Sequence, residues 1–327
     1  MKKIYVLFVA MLWLSMSYAQ QPAQYSLYML NPYSVNPAAA GLEKTLVATG
    51  GYRTQWVGID GNPTSQFLNV SLPLSIIGSG VGFSLQNEGI GARTGLTAKA
   101  SYNYMVKTGD GLLSFGLAGG LVQGSLDGAK LRTPDGNYGP DVGGQTTIIH
   151  NDKILESVTM SGSVPIFDAG IYFKAPKFEI GVSTSNLNQP LLNLKGQKEL
   201  KVQLKRNYFA TAVARFDLSS NITLNPSVLI KSDAVETQMD FSTYLRFDDN
   251  IFLGGTFRGY NKNSSDAIVV FGGIKLSSQM TLAYSYDISL STLKTVSQGT
   301  HEIVIIYNIG KEFGKGKLPP IIYNPRF

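Results

Sequence analysis

Apolar residues recur at every second position over most of this chain, and no other sequence feature restricts its fold as strongly. In the segment Met280–Ile309, two alternating runs flank a polar connection at 289–298. The apolar positions of these runs are Leu282, Tyr284, Tyr286, Ile303, Ile305 and Tyr307. Side chains of a strand point to alternate faces, so each run has one apolar and one polar face. The segment therefore predicts an antiparallel hairpin.

The same period predicts fourteen strands between residues 46 and 309. Their predicted limits are 46–54, 66–74, 78–87, 93–106, 111–124, 168–175, 178–185, 205–217, 220–231, 237–248, 251–261, 266–276, 280–288 and 299–309. Short connections such as 176–177 alternate with longer ones such as 125–167 and 186–204. This alternation and the even strand number are typical of outer-membrane barrels. We therefore predict an all-β fold, a transmembrane antiparallel β-barrel with short periplasmic turns and longer extracellular loops. Within it, Pro226 predicts a bulge.

Both ends of the chain differ from this pattern. Two lysines precede an apolar run from Ile4 to Leu14, and the small residues that follow predict a signal peptide cleaved after Ala19. The next segment contains three prolines and three tyrosines, which predict an ordered arm that is not a strand. The predicted parts are a signal peptide (1–19), a periplasmic or lumenal N-terminal arm (20–45), an outer-membrane barrel (46–309) and a periplasmic C-terminal tail (310–327).

The residue types do not form a catalytic or metal-binding pattern. The chain has no Cys, and its two histidines, His150 and His301, are isolated in the sequence. Neither a nucleophile elbow nor a phosphate-binding loop occurs. Without Lys2 and Lys3, 26 basic residues face 22 acidic ones, which is too small an excess to indicate nucleic-acid binding. We therefore expect no enzymatic activity, no cofactor and no metal.

Charged residues on the polar faces of the predicted strands are candidates for a role inside the barrel. They are Lys99, Arg215, Asp240, Arg246, Arg258, Asp287 and Glu302. Such residues either pair across a narrow lumen and stiffen it, or line a pocket or channel for a protein segment or a solute. Asp287 and Glu302 either brace the barrel closure by pairing with inward arginines, which we favour, or meet a partner near the external rim. Trp56, in the loop 55–65, either anchors a partner or packs on the rim.

Several segments resemble one known family. QYSLYMLNPYSVNPAAAG (Gln24 to Gly41) and RTQWVGIDGNPTS (Arg53 to Ser65) resemble the N-terminal signature of the PorP/SprF family of the Bacteroidetes type IX secretion system. Further similar segments are GVSTSNLNQP (Gly181 to Pro190), NPSVLIK (Asn225 to Lys231), YSYD (Tyr284 to Asp287) and GTHE (Gly299 to Glu302). The candidate partner-binding or motif residues are Arg53, Trp56, Asp287, His301 and Glu302.

The resemblance implies a non-enzymatic outer-membrane barrel of the type IX secretion and gliding machinery. Such a barrel would bind a secreted adhesin with a type B C-terminal sorting domain, and anchor or shuttle it at the cell surface. The implied partners are this adhesin or its sorting domain, type IX secretion or peptidoglycan-linked periplasmic components, and outer-membrane lipid. The alternative function that the barrel itself allows is a channel for small solutes.

Overall fold

The computed structural model describes residues 23–139, 148–152, 154–260 and 265–312. In chain order its strands are β1 (Thr45–Thr54), β2 (Thr64–Leu74), β3 (Ser79–Ile90), β4 (Arg93–Thr108), β5 (Gly111–Asp127), β6 (Asn137–Tyr138), β7 (Ile148–Ile149), β8 (Thr159–Lys174), β9 (Phe178–Ser185), β10 (Leu191–Lys195), β11 (Glu199–Gln203), β12 (Asn207–Ala214), β13 (Phe216–Asp217), β14 (Ile222–Ser232), β15 (Thr237–Phe247), β16 (Ile251–Arg258), β17 (Ala267–Lys275), β18 (Met280–Ser289) and β19 (Thr300–Glu312). The short 3-10 helices are Tyr28–Leu30, Pro32–Ser34, Pro37–Ala39, Ser75–Ile77, Gly128–Lys130 and Thr292–Thr295.

The first and last strands of the sheet pair with each other. β1 lies between β2 and β19, and neighbouring strands along the wall are antiparallel. The wall runs from β1 to β5, continues through β8, β9, β12 and β14, and ends with β15 to β19, while β13 prolongs β12. Counted in this way, fourteen antiparallel strands close into a barrel. The fold predicted from the sequence is confirmed.

The two faces of the wall have opposite chemistry. In β18, Tyr284 points outward and is 46% exposed, whereas the next residue, Ser285, points inward and is 0% exposed. The same alternation places Tyr102 outward and Asn103 inward on β4. An apolar exterior and a polar interior are what a bilayer-spanning barrel requires. No helix in the described parts of the chain is long and apolar enough to cross a membrane.

The connections define two different ends of the barrel. The long-loop end carries connections such as 55–63, 128–158 and 290–299, and the short-turn end carries connections such as 109–110 and 175–177. The predicted loop 125–167 is wrong in extent, because β5 continues to Asp127 and β8 begins at Thr159. Gly162 and Pro165 weakened the strand signal there, although both residues pair with β5.

The predicted loop 186–204 also contains regular structure. It folds into a hairpin of β10 and β11, and β10 pairs with the start of β8. The ends of β4, β5 and β8 at the long-loop end, together with β10 and β11, form a raised wall on one side of the barrel. Its leucines and neighbouring apolar side chains form a core of their own.

Two further expectations differ from the structure or lie outside it. The register of β14 with β15 continues through Pro226 without a bulge. The pairing of β14 with the preceding strand is instead interrupted opposite Pro226, between Val213 and Phe216. Pro226 has no backbone N–H, so the gap in pairing does not leave a donor of this residue without a partner. The predicted signal peptide and the tail beyond Glu312 lie outside the described residues.

Candidate functional site in the barrel lumen

Residues 23–44 form an arm that lies inside the barrel. Pro32 and Pro37 each occupy the first position of a 3-10 helix, where the missing N–H costs nothing. The Asn36 side chain accepts a hydrogen bond from the N–H of Ala38 at 2.9 Å and so stabilises the start of the last turn. These local turns explain why the arm stays coiled in the lumen and does not add a strand to the sheet.

The half of the arm nearest the short-turn end fits closely against the wall. Asn103 on β4 donates hydrogen bonds to the carbonyl oxygens of Ala38 and Ala40, both at 2.9 Å. On the other side, Asn36 donates to the carbonyl oxygen of Ile171 at 3.0 Å. Gly116 of β5 leaves space for the arm, because a Cβ atom at this position would overlap the backbone of Ala38. The wall is therefore shaped to hold this segment.

Tyrosines of the arm reach other parts of the inner wall. The Tyr28 hydroxyl lies 3.1 Å from Ser227 Oγ and donates to the carbonyl oxygen of Asp240 at 3.3 Å. Burial raises the pKa of the Tyr28 phenol to about 12. The Tyr33 hydroxyl lies 2.9 Å from Ser101 Oγ on β4. The arm thus contacts strands on several sides of the lumen.

A network of five charged side chains lies at the barrel seam. Arg53 of β1 pairs with Asp287 of β18 at 2.7 Å and with Glu302 of β19 at 2.9 Å. Arg258 of β16 pairs with the same Asp287 at 2.7 Å and with Asp240 of β15 at 3.1 Å. The strand registers place Arg53 opposite Glu302 and Asp240 opposite Arg258. The two acids of the family-like motifs therefore pair with inward arginines across the closure.

The network also holds the arm. Ser26 Oγ lies within hydrogen-bond distance of Asp287 and accepts from Arg53 and Arg258, both at 2.9 Å. The N–H of Ser26 donates to Glu302 at 2.7 Å, and the next N–H, that of Leu27, donates to the other carboxylate oxygen at 3.2 Å. Three acids face two arginines here, and these backbone donors complete the hydrogen bonds of Glu302, which like Asp240 has a single arginine partner. We call this group of six residues, Ser26 included, the seam network.

The other predicted lumen charges lie outside the seam network. Lys99 pairs with Asp168 of β8 at 2.9 Å, further round the wall. Arg246 stacks over the Tyr244 ring at 5.8 Å near the short-turn end. Arg215 is half exposed at the same end, where β12 passes into β13. The charges that the strand pattern grouped together are therefore divided among the seam network, the Lys99–Asp168 pair and the short-turn end.

His301 and Trp56 lie near the long-loop end but on different sides of the wall. His301 faces outward, and its Nδ1 atom lies 2.7 Å from the Tyr284 hydroxyl. Trp56 has a φ of 52° in the first loop, and its backbone N–H donates to Thr300 Oγ1 at 3.1 Å. The histidine therefore belongs to the aromatic exterior, whereas the tryptophan borders the opening of the lumen.

Two large cavities occupy the lumen on either side of the buried part of the arm, and a smaller one of about 90 Å³ lies between the arm and Lys99. A vestibule of about 800 Å³ at the long-loop end is lined by Trp56, Gln24 and Lys231, with the arginines of the seam network at its base. A second cavity of about 430 Å³ at the short-turn end is lined by Asn31 and Arg246. Between them lie Leu27, Tyr28 and the seam network, all buried.

Sequence reasoning missed Ser26, Asn103 and Asp168 as members of these contacts. Asp168 fell next to a region predicted as loop, so its inward position could not be identified. Ser26 carries no sequence signal, because an isolated serine in a coiled segment is common. Among the described residues, no group of three or more His, Asp or Glu side chains could hold a metal ion.

A family model for the type IX secretion system membrane protein PorP/SprF matches residues 17–307. The chain belongs to the PorP/SprF family. It is thus an outer-membrane barrel of a family whose members associate with components of this secretion system. A PorP/SprF barrel is not of a known enzyme class. No curated protein matches the chain.

Solved outer-membrane barrels are similar to this PorP/SprF protein in fold. A Pseudomonas aeruginosa FadL homologue is 10% identical with a TM-score of 0.49, and the match covers 84% of this chain and 92% of that one. The Ralstonia pickettii toluene transporter TbuX is also 10% identical with a TM-score of 0.49, covering 86% and 92%. Acinetobacter baumannii Omp33 is 9% identical with a TM-score of 0.44, covering 82% and 99%.

Proposed function

We propose that this barrel binds a secreted cell-surface protein at its long-loop end and anchors or shuttles it there. The partner is an adhesin with a type B C-terminal sorting domain, or that domain itself. The observation that carries the proposal is the arm, which occupies the middle of the lumen through its own buried contacts. A lumen occupied in this way is suited to a rigid receptor and is poorly suited to a solute channel.

The vestibule gives this receptor a binding surface. Its volume of about 800 Å³ is within the range of pockets that take a ligand or a protein segment. Trp56 stands at its border with part of its side chain accessible, and partly exposed tryptophans supply much of the binding energy of protein interfaces. In the membrane, the long-loop end faces outward and the short-turn end faces the periplasm, where secretion or peptidoglycan-linked components would bind.

Gene deletion combined with co-purification tests the proposal. We expect deletion to release one large surface protein into the medium, and we expect that protein to co-purify with the barrel from detergent-solubilised membranes. Recovery of the barrel with lipid alone, together with an unchanged set of surface proteins, would exclude an anchoring role.

Trp56 provides a direct test of the vestibule. The chain has two tryptophans, and Trp13 lies in the predicted signal peptide, so Trp56 alone would report fluorescence in the mature protein. We expect its emission to shift when the partner binds, and we expect Trp56→Ala to weaken binding about 30-fold, the effect of a hot spot of about 2 kcal/mol. Binding of equal strength by the variant would show that Trp56 only packs on the rim.

The solute channel remains the alternative in a different class. It requires the arm to leave the lumen, since Leu27, Tyr28 and the seam network separate the two cavities. Planar-bilayer recordings decide between the two functions, because a channel gives stable conductance steps with the full-length protein and a plugged receptor does not.

A further inference from the structure

The outer strand of the raised wall has an open edge. β11 pairs with β10 along its whole length, and β10 pairs in turn with β8. No strand in the described part of the chain pairs with the other side of β11. Open edges of this kind can pair with another polypeptide, and proteins usually cover or shorten them.

The hydrogen bonds between β10 and β11 show which backbone groups of β11 point to the open edge. The N–H of Leu204 donates to the carbonyl oxygen of Pro190, and the N–H of Gly196 donates to that of Lys198, both at 3.0 Å. In an antiparallel pair, alternate residues direct both backbone groups to the partner strand. The intervening residues of β11 therefore direct their N–H and C=O groups away from β10. They are Glu199, Lys201 and Gln203.

The open edge is held rigidly in position. Leu192 and Leu194 of β10 and Leu204, which follows β11, are buried in one apolar core with Met160 and Ile166 of β8. The three edge residues are exposed. Because the core fixes the hairpin, β11 would lose little conformational entropy when another strand pairs with it.

The charge at the edge favours one kind of partner. Residues 195–206 contain five basic residues and a single acid, Glu199, whereas the chain as a whole has an excess of only six basic residues. Lys201 lies at the centre of the edge and is exposed, and its Nζ atom forms an exposed ion pair of 3.9 Å with Glu199. Lysine on an open edge disfavours self-pairing. In the antiparallel register that uses all three edge residues, two copies of this chain would place Lys201 opposite Lys201.

We propose that β11 is a strand-addition site for an extended, acidic segment of the secreted partner. The inference rests on the proposed function and names the chemistry by which the partner binds. An added strand satisfies both the N–H and the C=O groups of Glu199, Lys201 and Gln203, and its acidic side chains lie beside the lysines. Lipid phosphates carry acceptors only, so they would leave the outward carbonyl groups of β11 without a donor.

Substitutions at Lys201 separate the backbone contribution from the charge. Lys201→Pro removes an N–H that points to the open edge and leaves the β10–β11 hydrogen bonds in place, whereas Lys201→Ala removes only the charge. Lys130→Ala is the control, because Lys130 is an exposed lysine at the same end of the barrel that follows β5 and belongs to neither β10 nor β11. Heat-resistant migration on gels checks that each variant is folded.

The readout is retention of the surface protein that is released when the gene is deleted. We expect a loss of at least tenfold with Lys201→Pro, a two- to fivefold loss with Lys201→Ala, and no change with Lys130→Ala. Full retention by folded Lys201→Pro would overturn the β11 inference and leave the proposed function intact. If the wild-type chain itself retains no surface protein, both fail.

Hydrogen exchange on the purified wild-type complex gives a measurement that needs no variant. We expect the Lys201 and Gln203 amides to exchange at least tenfold more slowly in the complex than in the barrel alone. Unchanged exchange overturns the inference. Equal slowing by vesicles of anionic lipid without the partner, or by a dimer of the barrel, would also overturn it.

Discussion

Replacing Arg53 tests whether the seam network stabilises the barrel. The Arg53 side chain is 1% exposed and donates to Ser26, Asp287 and Glu302. Breaking a buried ion pair by removing one partner costs about 3–5 kcal/mol. Glu302 would keep two backbone donors and Asp287 would keep Arg258, so we expect Arg53→Met to cost about 3 kcal/mol, at the lower end of that range. This corresponds to roughly a 100-fold change in the unfolding equilibrium.

Urea unfolding in detergent micelles measures this cost, with folded and unfolded barrels separated by gel migration. Arg215→Met is the matched control, because its ion pair with Asp217 is half exposed and such pairs contribute about 0–1 kcal/mol. Adding Glu302→Gln to Arg53→Met removes the carboxylate left without its arginine, and we expect it to recover part of the loss. A cost below about 1 kcal/mol for Arg53→Met would refute the role assigned to the seam network.

The remaining predictions concern the arm. Ser26→Ala removes the hydroxyl shared by both arginines, and we expect a loss of about 1–3 kcal/mol and faster proteolysis of the arm while the barrel stays folded. Gly116→Ala should displace Ala38 and expose the arm to protease. Gly119→Ala on the outward face of the same strand should not, because its Cβ meets only the Phe167 ring at 3.6 Å. Equal protease resistance of both variants would contradict the close fit of the arm to the wall. Deleting residues 23–40 should join the two cavities and produce conductance steps in planar bilayers, and a silent deletion variant would show that other residues close the lumen.

The strands were predictable from the sequence because alternation is a local property. The residue types of Tyr284 and Ser285 indicate which face of the sheet each occupies, because apolar side chains face the lipid and polar side chains face the lumen. The prediction included only the second half of β8, from residue 168 onward, because Gly162 and Pro165 weaken the local pattern in the first half although long pairing with β5 holds the whole strand. It failed for β10 and β11 for a related reason, because short strands between polar residues resemble an ordinary loop.

The sequence by itself determined a closed barrel with an apolar exterior, and it singled out Arg53, Asp287 and Glu302 through their inward positions or their family-like motifs. Only the tertiary structure decided what these charges do. Closure brings β1 beside β19, so residues far apart in sequence become ion-pair partners across the seam. It likewise decided that the arm lies in the lumen, because Ser26 acquires partners only where strands from both ends of the chain meet. Pairings between distant segments have no local sequence signal, and they alone place the arm inside this barrel.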